Sequence, residues 1–259
     1  MEATPPRPAE SGPTTGQDDS VDAAESDRFA ALSGEWWDPD GAFKPLHQLN
    51  PVRLEFIRDQ LAAHFGRKLP GRTPLKGLRI LDIGCGGGLV CEPLCRLGAT
   101  VCGIDAAPEN IDVARDHAAE MGLDIDYRST TAEALAAAGE EFDAVISLEV
   151  IEHVPDAATF LATCSSLLAD GGGMVLATLN RTPKSFLFAI VGAEYLLGWL
   201  PRGTHRWDRF VRPSELEAAL RPNHVRIADV RGMRFDPFAG DWQLGGDVAV
   251  NYIAFAVRD

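Results

Sequence analysis

The stretch "SLEVIEHVP" sets Glu149, Glu152 and His153 just past an apolar run that reads as a buried strand. Where such a segment turns helical, positions i, i+3 and i+4 share one face. Two carboxylates and an imidazole gathered there can bind a divalent cation or take a proton as a general base. The other reading is structural, with the acids only positioning their surroundings. Upstream, "RILDIGCGGGLV" passes from a strand into a Gly-rich turn and then a helical pattern. Gly84, Gly86, Gly87 and Gly88 therefore fall where the backbone bends sharply and a ligand can come close. The next strand ends in "VCGID", with Asp105 twenty-one residues after Gly84. A carboxylate at that place can accept hydrogen bonds from two ribose hydroxyls.

The elements that must hold these groups alternate regularly from Leu78 onward. Strands are expected near Leu78 to Ile83, Thr100 to Ile104, Asp124 to Arg128, Phe142 to Leu148 and Gly173 to Thr178. Helical patterns lie between them, near Val90 to Leu97, Pro108 to Met121, Ala132 to Ala138 and Ala157 to Ala169. "RPSELEAAL" reads as a further helix, and "VRIADVRGM" and "DVAVNYIAFAVRD" as two last strands. Such alternation implies a mostly parallel α/β sheet covered on both faces, with ligands at the carboxyl ends of the strands. Before Asp27 the chain shows no apolar periodicity, and residues 1–26, with six acids and one Arg, read as a disordered acidic tail. Residues 27–259 then form one domain, whose first part, to Phe65, shows short helical patterns around a Pro- and Gly-punctuated loop.

Composition narrows the partners. A net charge of -14 over 259 residues argues against nucleic acid, whose affinity rests on clustered Lys and Arg. Five cysteines and no secretory or transit signal point to a reducing cytoplasm and buried thiols rather than a disulfide framework. Cys91 and Cys95 can share a helix face, but no second pair or His cluster stands near to complete a metal site. His47, His64, His117 and His224 read as surface or capping residues, Asp143 as a strand-start residue and Asp156 as a helix cap.

Two cofactors use a Gly-rich turn followed by an acid. A dinucleotide site has the form G-x-G-x-x-G, and Leu89 stands where its third Gly belongs, whereas "LDIGCGGG" has the form used for S-adenosylmethionine. An NAD-binding oxidoreductase is the rival reading, and a Gly-rich turn without ligand the plain one.

The order of motifs resembles the class I methyltransferases, with a Rossmann-like seven-stranded sheet. More narrowly, "FAALSGEWWDPDGAFKPLHQLNPVRL", "LEVIEHVPD", "TLNRTPKSFLFAIVGAEYLLGWLPRGTH" and "GDVAVNY" resemble the O-methyltransferase family of ubiquinone biosynthesis. That resemblance implies methyl transfer from S-adenosylmethionine to phenolic hydroxyls of polyprenyl catechols, namely 2-polyprenyl-6-hydroxyphenol and 3-demethylubiquinol; another small phenol is the alternative acceptor. It implies that Arg53 pairs with the donor carboxylate, Gly84 lies under its amino-acid part, Asp105 holds the ribose and Leu148 lines the site. It further implies His153 and Glu149 as catalytic groups, and a Mg²⁺ site at Glu149, Glu152 and His153. The family's adenine-reading Asp has no counterpart, Thr131 standing near its place.

The apolar insert, about 181–212, is the other feature of note. Between Lys184 and Arg202 stand seventeen residues with one charge, Glu194, short of the about 20 that span a bilayer. Arg181 to Arg212 holds six Lys or Arg against two acids, a local charge of +4. With Tyr195, Trp199 and Trp207, the segment 184–212 suits the interface of an anionic membrane, and a buried lid is the competing reading. The expected location is cytoplasmic, peripheral at the inner face of the cytoplasmic membrane, with other ubiquinone-pathway enzymes as further partners.

Overall fold

The computed structural model describes residues 30–186, 207–236 and 240–259. The acidic tail 1–26 lies outside the described residues, and so does most of the 181–212 insert. Eight strands form one sheet: β1 (Arg79–Ile83), β2 (Thr100–Asp105), β3 (Asp126–Ser129), β4 (Phe142–Leu148), β5 (Leu168–Leu179), β6 (Val225–Asp236), β7 (Asp241–Gly245) and β8 (Asn251–Arg258), in the spatial order β3-β2-β1-β4-β5-β8-β6-β7. The first five are parallel, and β8, β6 and β7 continue the sheet antiparallel.

The expected seven strands are present, and β7 is an eighth. It is a five-residue edge strand whose exposure alternates along its length, Trp242 and Leu244 being partly buried against the core. Two apolar residues between Asp and Gly carry too short an alternation to show in sequence. β5 begins at Leu168, five residues before the expected start, because Leu168 already pairs with Phe142 at the start of β4.

The main helices are α1 (Lys44–His64), α2 (Cys91–Arg96), α3 (Pro108–Glu120), α4 (Ala132–Ala137), α5 (Ala157–Ser166) and α6 (Pro213–Leu220), with a short turn at Pro183–Ser185. Where sequence suggested short helical pieces around a loop, α1 is one continuous helix of 21 residues that carries Pro51 inside it. Strand periodicity divides the core. In β1, Ile80 joins Ile57 and Leu61 of α1 and Leu94 of α2 on one face, while Leu81 and Ile83 join Phe160 and Leu161 of α5 and Leu216 of α6 on the other. Asp156 caps α5 through the Ala158 amide, and Asp143 accepts from the Arg79 amide at the start of β1. All five cysteines are free, four of them buried. Among the described residues, no helix is long and apolar enough to cross a membrane.

A carboxyl side chain lies buried within the sheet. Asp82 of β1 is 3% exposed and accepts the Cys91 thiol at 3.2 Å. Burial pushes its carboxyl up to about 7, against the pull of Cys91 and Arg53. The folded chain holds this proton where the unfolded chain, near 3.8, has already released it. Stability attributable to Asp82 is therefore highest below pH 4 and falls as the pH rises through about 7. Asp82→Asn should match the parent in stability at pH 4 and exceed it above pH 8, by an amount on the order of 1–4 kcal/mol. Thermal melts across that range check it; parallel curves would contradict it.

Candidate active site

β1 has β2 on one side and β4 on the other, so the strand order reverses at its two edges. A crevice at the carboxyl end of such a strand is where open α/β sheets take ligands. Ile83 pairs with Ile104 and with Ser147. The next residues along the three strands are Gly84, Asp105 and Leu148, so register alone brings these predicted site residues side by side. Gly84 is exposed, and Asp105 and Leu148 are half-buried.

The Gly-rich turn is fixed by hydrogen bonds to β2 and to the chain before α1. The amides of Gly84 and Cys85 both donate to the Ile104 carbonyl, at 2.8 and 2.9 Å. Gly86 sits at φ +52°, and its amide donates to Asp105 Oδ2 at 3.0 Å. A Cβ at Gly86 would lie 2.3 Å from the Trp36 ring, so this glycine is required by conformation and by packing alike. Asp105 Oδ1 accepts from the Ala107 amide at 2.9 Å and from Asn110 Nδ2 at 3.2 Å. Burial pushes the Asp105 carboxyl above its ordinary value, opposed by these three donors.

Sequence reasoning missed the groups that close this turn. Trp36 is 7% exposed, stacks on Phe43 with ring centroids 3.7 Å apart, and donates from Nε1 to Asn110 Oδ1 at 2.8 Å. Asn110 thus joins Trp36 to Asp105. Trp37 donates to the Gly87 carbonyl at 3.0 Å and stacks on His117 at 3.5 Å. His117, expected at the surface, instead meets the fully buried Glu92 at 2.5 Å. The adjacent Trp pair in "GEWWDPDG" was the available signal, since two large aromatics in a polar loop must find something to cover. The other histidines fit capping and surface roles: His47 and His64 each meet a backbone carbonyl at 2.8 Å, and His224 ends a short helical turn in the left-handed region. Thr131 caps α4, accepting from the Ala134 amide.

Opposite Asp105 the site carries its strongest charge pair. Arg53, on α1, is 3% exposed, and its Nη2 donates to Glu149 Oε1 at 2.6 Å. Its Nε is buried without a partner. Glu149 follows β4 at φ +56°, a left-handed conformation that costs a non-glycine residue about 1–2 kcal/mol. Glu152 and His153 lie beyond it in a 3-10 turn, Ile151–His153. Glu149 stands outside that turn, so the three residues are not stacked on one helical face. Glu152 is 4% exposed and its Oε2 accepts the Thr178 hydroxyl at 2.7 Å. Burial, and then the charge of Glu149, hold its carboxyl well above the usual range although Thr178 opposes them. His153 is half-buried, and its carbonyl accepts from Arg209 Nη1 at 3.4 Å.

As arranged here, Glu149, Glu152 and His153 do not form a magnesium site: a hard cation needs oxygens turned to one point, whereas Glu152 accepts from Thr178 and Glu149 from Arg53. Among the described residues, no three His, Cys, Asp or Glu side chains are grouped to hold a metal.

Residues 81–176 match a family model described as a methyltransferase domain. A ubiquinone biosynthesis O-methyltransferase from Dinoroseobacter shibae is 55% identical over 92% of this chain and 97% of its own length. The chain belongs to the ubiquinone biosynthesis O-methyltransferases. Another of that name, from Sinorhizobium medicae, is 53% identical over 92% of this chain and 96% of its own. Among solved structures, the magnesium protoporphyrin IX methyltransferase of Synechocystis PCC 6803 with bound SAH superposes with a TM-score of 0.66 at 22% identity, over 92% of this chain and 99% of that one. The fold is therefore that of the class I methyltransferases, and the enzyme is an S-adenosylmethionine-dependent O-methyltransferase. The NAD reading of the Gly-rich turn is set aside with that membership.

The Trp36 contact makes a measurable demand on the turn. Gly86→Ala should destabilise the fold by about 2–4 kcal/mol through strain and overlap. In the Trp36→Ala background the same change should cost at least ~1 kcal/mol less, as residues in contact show such coupling. Urea denaturation of the four proteins measures it, and strict additivity would place Trp36 away from the turn.

Proposed function

We propose that the enzyme methylates phenolic hydroxyls of polyprenyl catechols, 2-polyprenyl-6-hydroxyphenol and 3-demethylubiquinol, at the crevice beside β1. The observation that carries this reading is the buried Arg53 guanidinium, with one nitrogen unpartnered, across the strand ends from Asp105. A donor with a carboxylate at one end and a ribose at the other matches that pair of charges. Family membership supports the catechol as acceptor.

In this reading Arg53 takes the donor carboxylate, since a guanidinium offers a fork suited to it. Gly84, exposed, offers its backbone to the amino-acid part, Asp105 accepts from the ribose hydroxyls, and Leu148 supplies an apolar wall. Asn110 and Trp36 fix the Asp105 carboxylate in advance. S-Adenosylmethionine, when bound, supplies a methyl carbon already activated on sulfonium. The chain's remaining task is to align the phenol and remove its proton, because a phenol of pKa ~10 is mostly protonated at neutral pH. His153 and Glu149, at the end of β4, are the groups placed to accept it.

The acceptor is lipid-borne, and we assign its delivery to the segment 184–212, docked on anionic lipid at the inner face of the cytoplasmic membrane. Within the described residues the segment begins with Lys184, paired with Asp247, and Phe186, 48% exposed. Other ubiquinone-pathway enzymes are the further partners we expect there.

Arg53→Gln should weaken S-adenosylhomocysteine binding by about ten- to a hundredfold, the worth of a charge-assisted hydrogen bond. His153→Ala should keep that affinity and lower kcat on a short-chain demethylubiquinol by about 10²–10⁴. Calorimetry and methyl-transfer assays read the two effects, and unchanged values would remove these roles. In liposome flotation the enzyme should float with anionic vesicles and less as salt is raised; no flotation on any vesicle would end the membrane assignment.

A further inference from the structure

Three features of the Arg53–Glu149 pair stand together. Arg53 is almost fully buried, yet only Nη2 is matched by a carboxylate, and its Nε points at no acceptor. A guanidinium has five donors in a fixed fork, and an ionised carboxylate satisfies it best when both oxygens engage. Glu149 engages one, Oε1 at 2.6 Å. Glu149 is also held in the left-handed region at φ +56°, where its amide donates to the Ala177 carbonyl at 2.9 Å. Its side chain stays 24% exposed, so it can leave the pair without crossing the core. Behind it, Glu152 is anchored on Thr178, and its Oε1 is buried with no donor. Glu152 stands against Glu149 as a carboxyl that burial and the Glu149 charge keep toward its neutral form, and the cation that Glu149 meets among the described residues is Arg53.

We propose that Glu149 is an internal stand-in for the carboxylate of the methyl donor, holding Arg53 until the donor displaces it. This rests on the assignment of Arg53 to the donor carboxylate made above, and it adds a sequence of events. While the donor is absent, Glu149 neutralises a cation that would otherwise be buried alone. When the donor carboxylate takes the fork, Glu149 is released toward the acceptor side, where it joins His153. The group that helps deprotonate the phenol is thereby withheld until the methyl donor is in place. No bond to carbon or sulfur changes in this step; one ion pair is exchanged for another at the same guanidinium.

An exchange of this kind sets two carboxylates in competition, so removing the internal one must tighten binding of the external one. Isothermal titration of the full chain with S-adenosylhomocysteine and with 5′-methylthioadenosine, which lacks the amino-acid end, provides the test. Glu149→Gln should tighten S-adenosylhomocysteine by about fivefold or more, the size of an ordinary coupling between sites, and leave 5′-methylthioadenosine unchanged. Glu149→Asn, neutral, shorter and suited to positive φ, should do the same should the Gln variant fold poorly. Equal or weaker binding of S-adenosylhomocysteine in a folded variant would overturn the proposal. So would equal tightening of both ligands, since that reports a looser site rather than a freed guanidinium. The Arg53→Gln titration separates the two levels: if it weakens S-adenosylhomocysteine while the Glu149 variants gain nothing, Arg53 still holds the donor and only the exchange is refuted.

Discussion

A cation taken out of water must be matched by an anion, and the site is organised around one such cation. Removing an ion from water costs several kcal/mol even after the protein relaxes. Arg53 meets that cost with a carboxylate 96 residues away in sequence. The pair therefore ties α1 to the end of β4, and it can do so only because β1 and its neighbours have put that strand end in reach. The unusual backbone at Glu149 and the buried acid behind it are consequences of the same requirement. A residue continuing the extended strand would alternate to the other face, and the left-handed step turns the carboxylate back toward the guanidinium.

Across the crevice the problem is solved with neutral groups. Asp105 is held by two backbone amides and Asn110, and Asn110 is held in turn by the Trp36 indole. Trp36 and Trp37, ahead of α1, thus form a cover for the Gly-rich turn. Trp36 and Trp37 bury aromatic area against peptide backbone stripped of side chains, which only glycine permits. The glycines serve the protein's own packing as much as the approach of a ligand.

Much of this was legible in the residues themselves. The parallel core, the turn, Asp105 and the strand ends followed from alternation of strand and helix patterns with Gly-rich punctuation, since these are local signals. What was not legible depends on distance or on a single dihedral. Nothing near Arg53 announces Glu149 as its partner. Nothing in "SLEVIEHVP" shows that the chain turns left-handed before its 3-10 turn, and a helical face there would stack Glu149, Glu152 and His153, whereas the fold sets Glu149 ahead of the turn, paired with Arg53. The 21-residue α1 was hidden by Pro51, a helix breaker by propensity, because tertiary packing along Val52, Phe56, Ile57 and Leu61 outweighs one missing hydrogen bond. β7 was too short to have a period.

The position of α1 has a consequence for how the enzyme is divided. The module matched by the methyltransferase-domain family model begins at residue 81, after α1 has ended. Asp105 and the Gly-rich turn come with that common module, while the guanidinium and the indoles come from the sequence in front of it. On the proposed assignment, the two ends of the donor site therefore have separate histories open to them. A lineage could keep the half proposed to hold the ribose and revise, through the segment around α1, how firmly the amino-acid half is grasped.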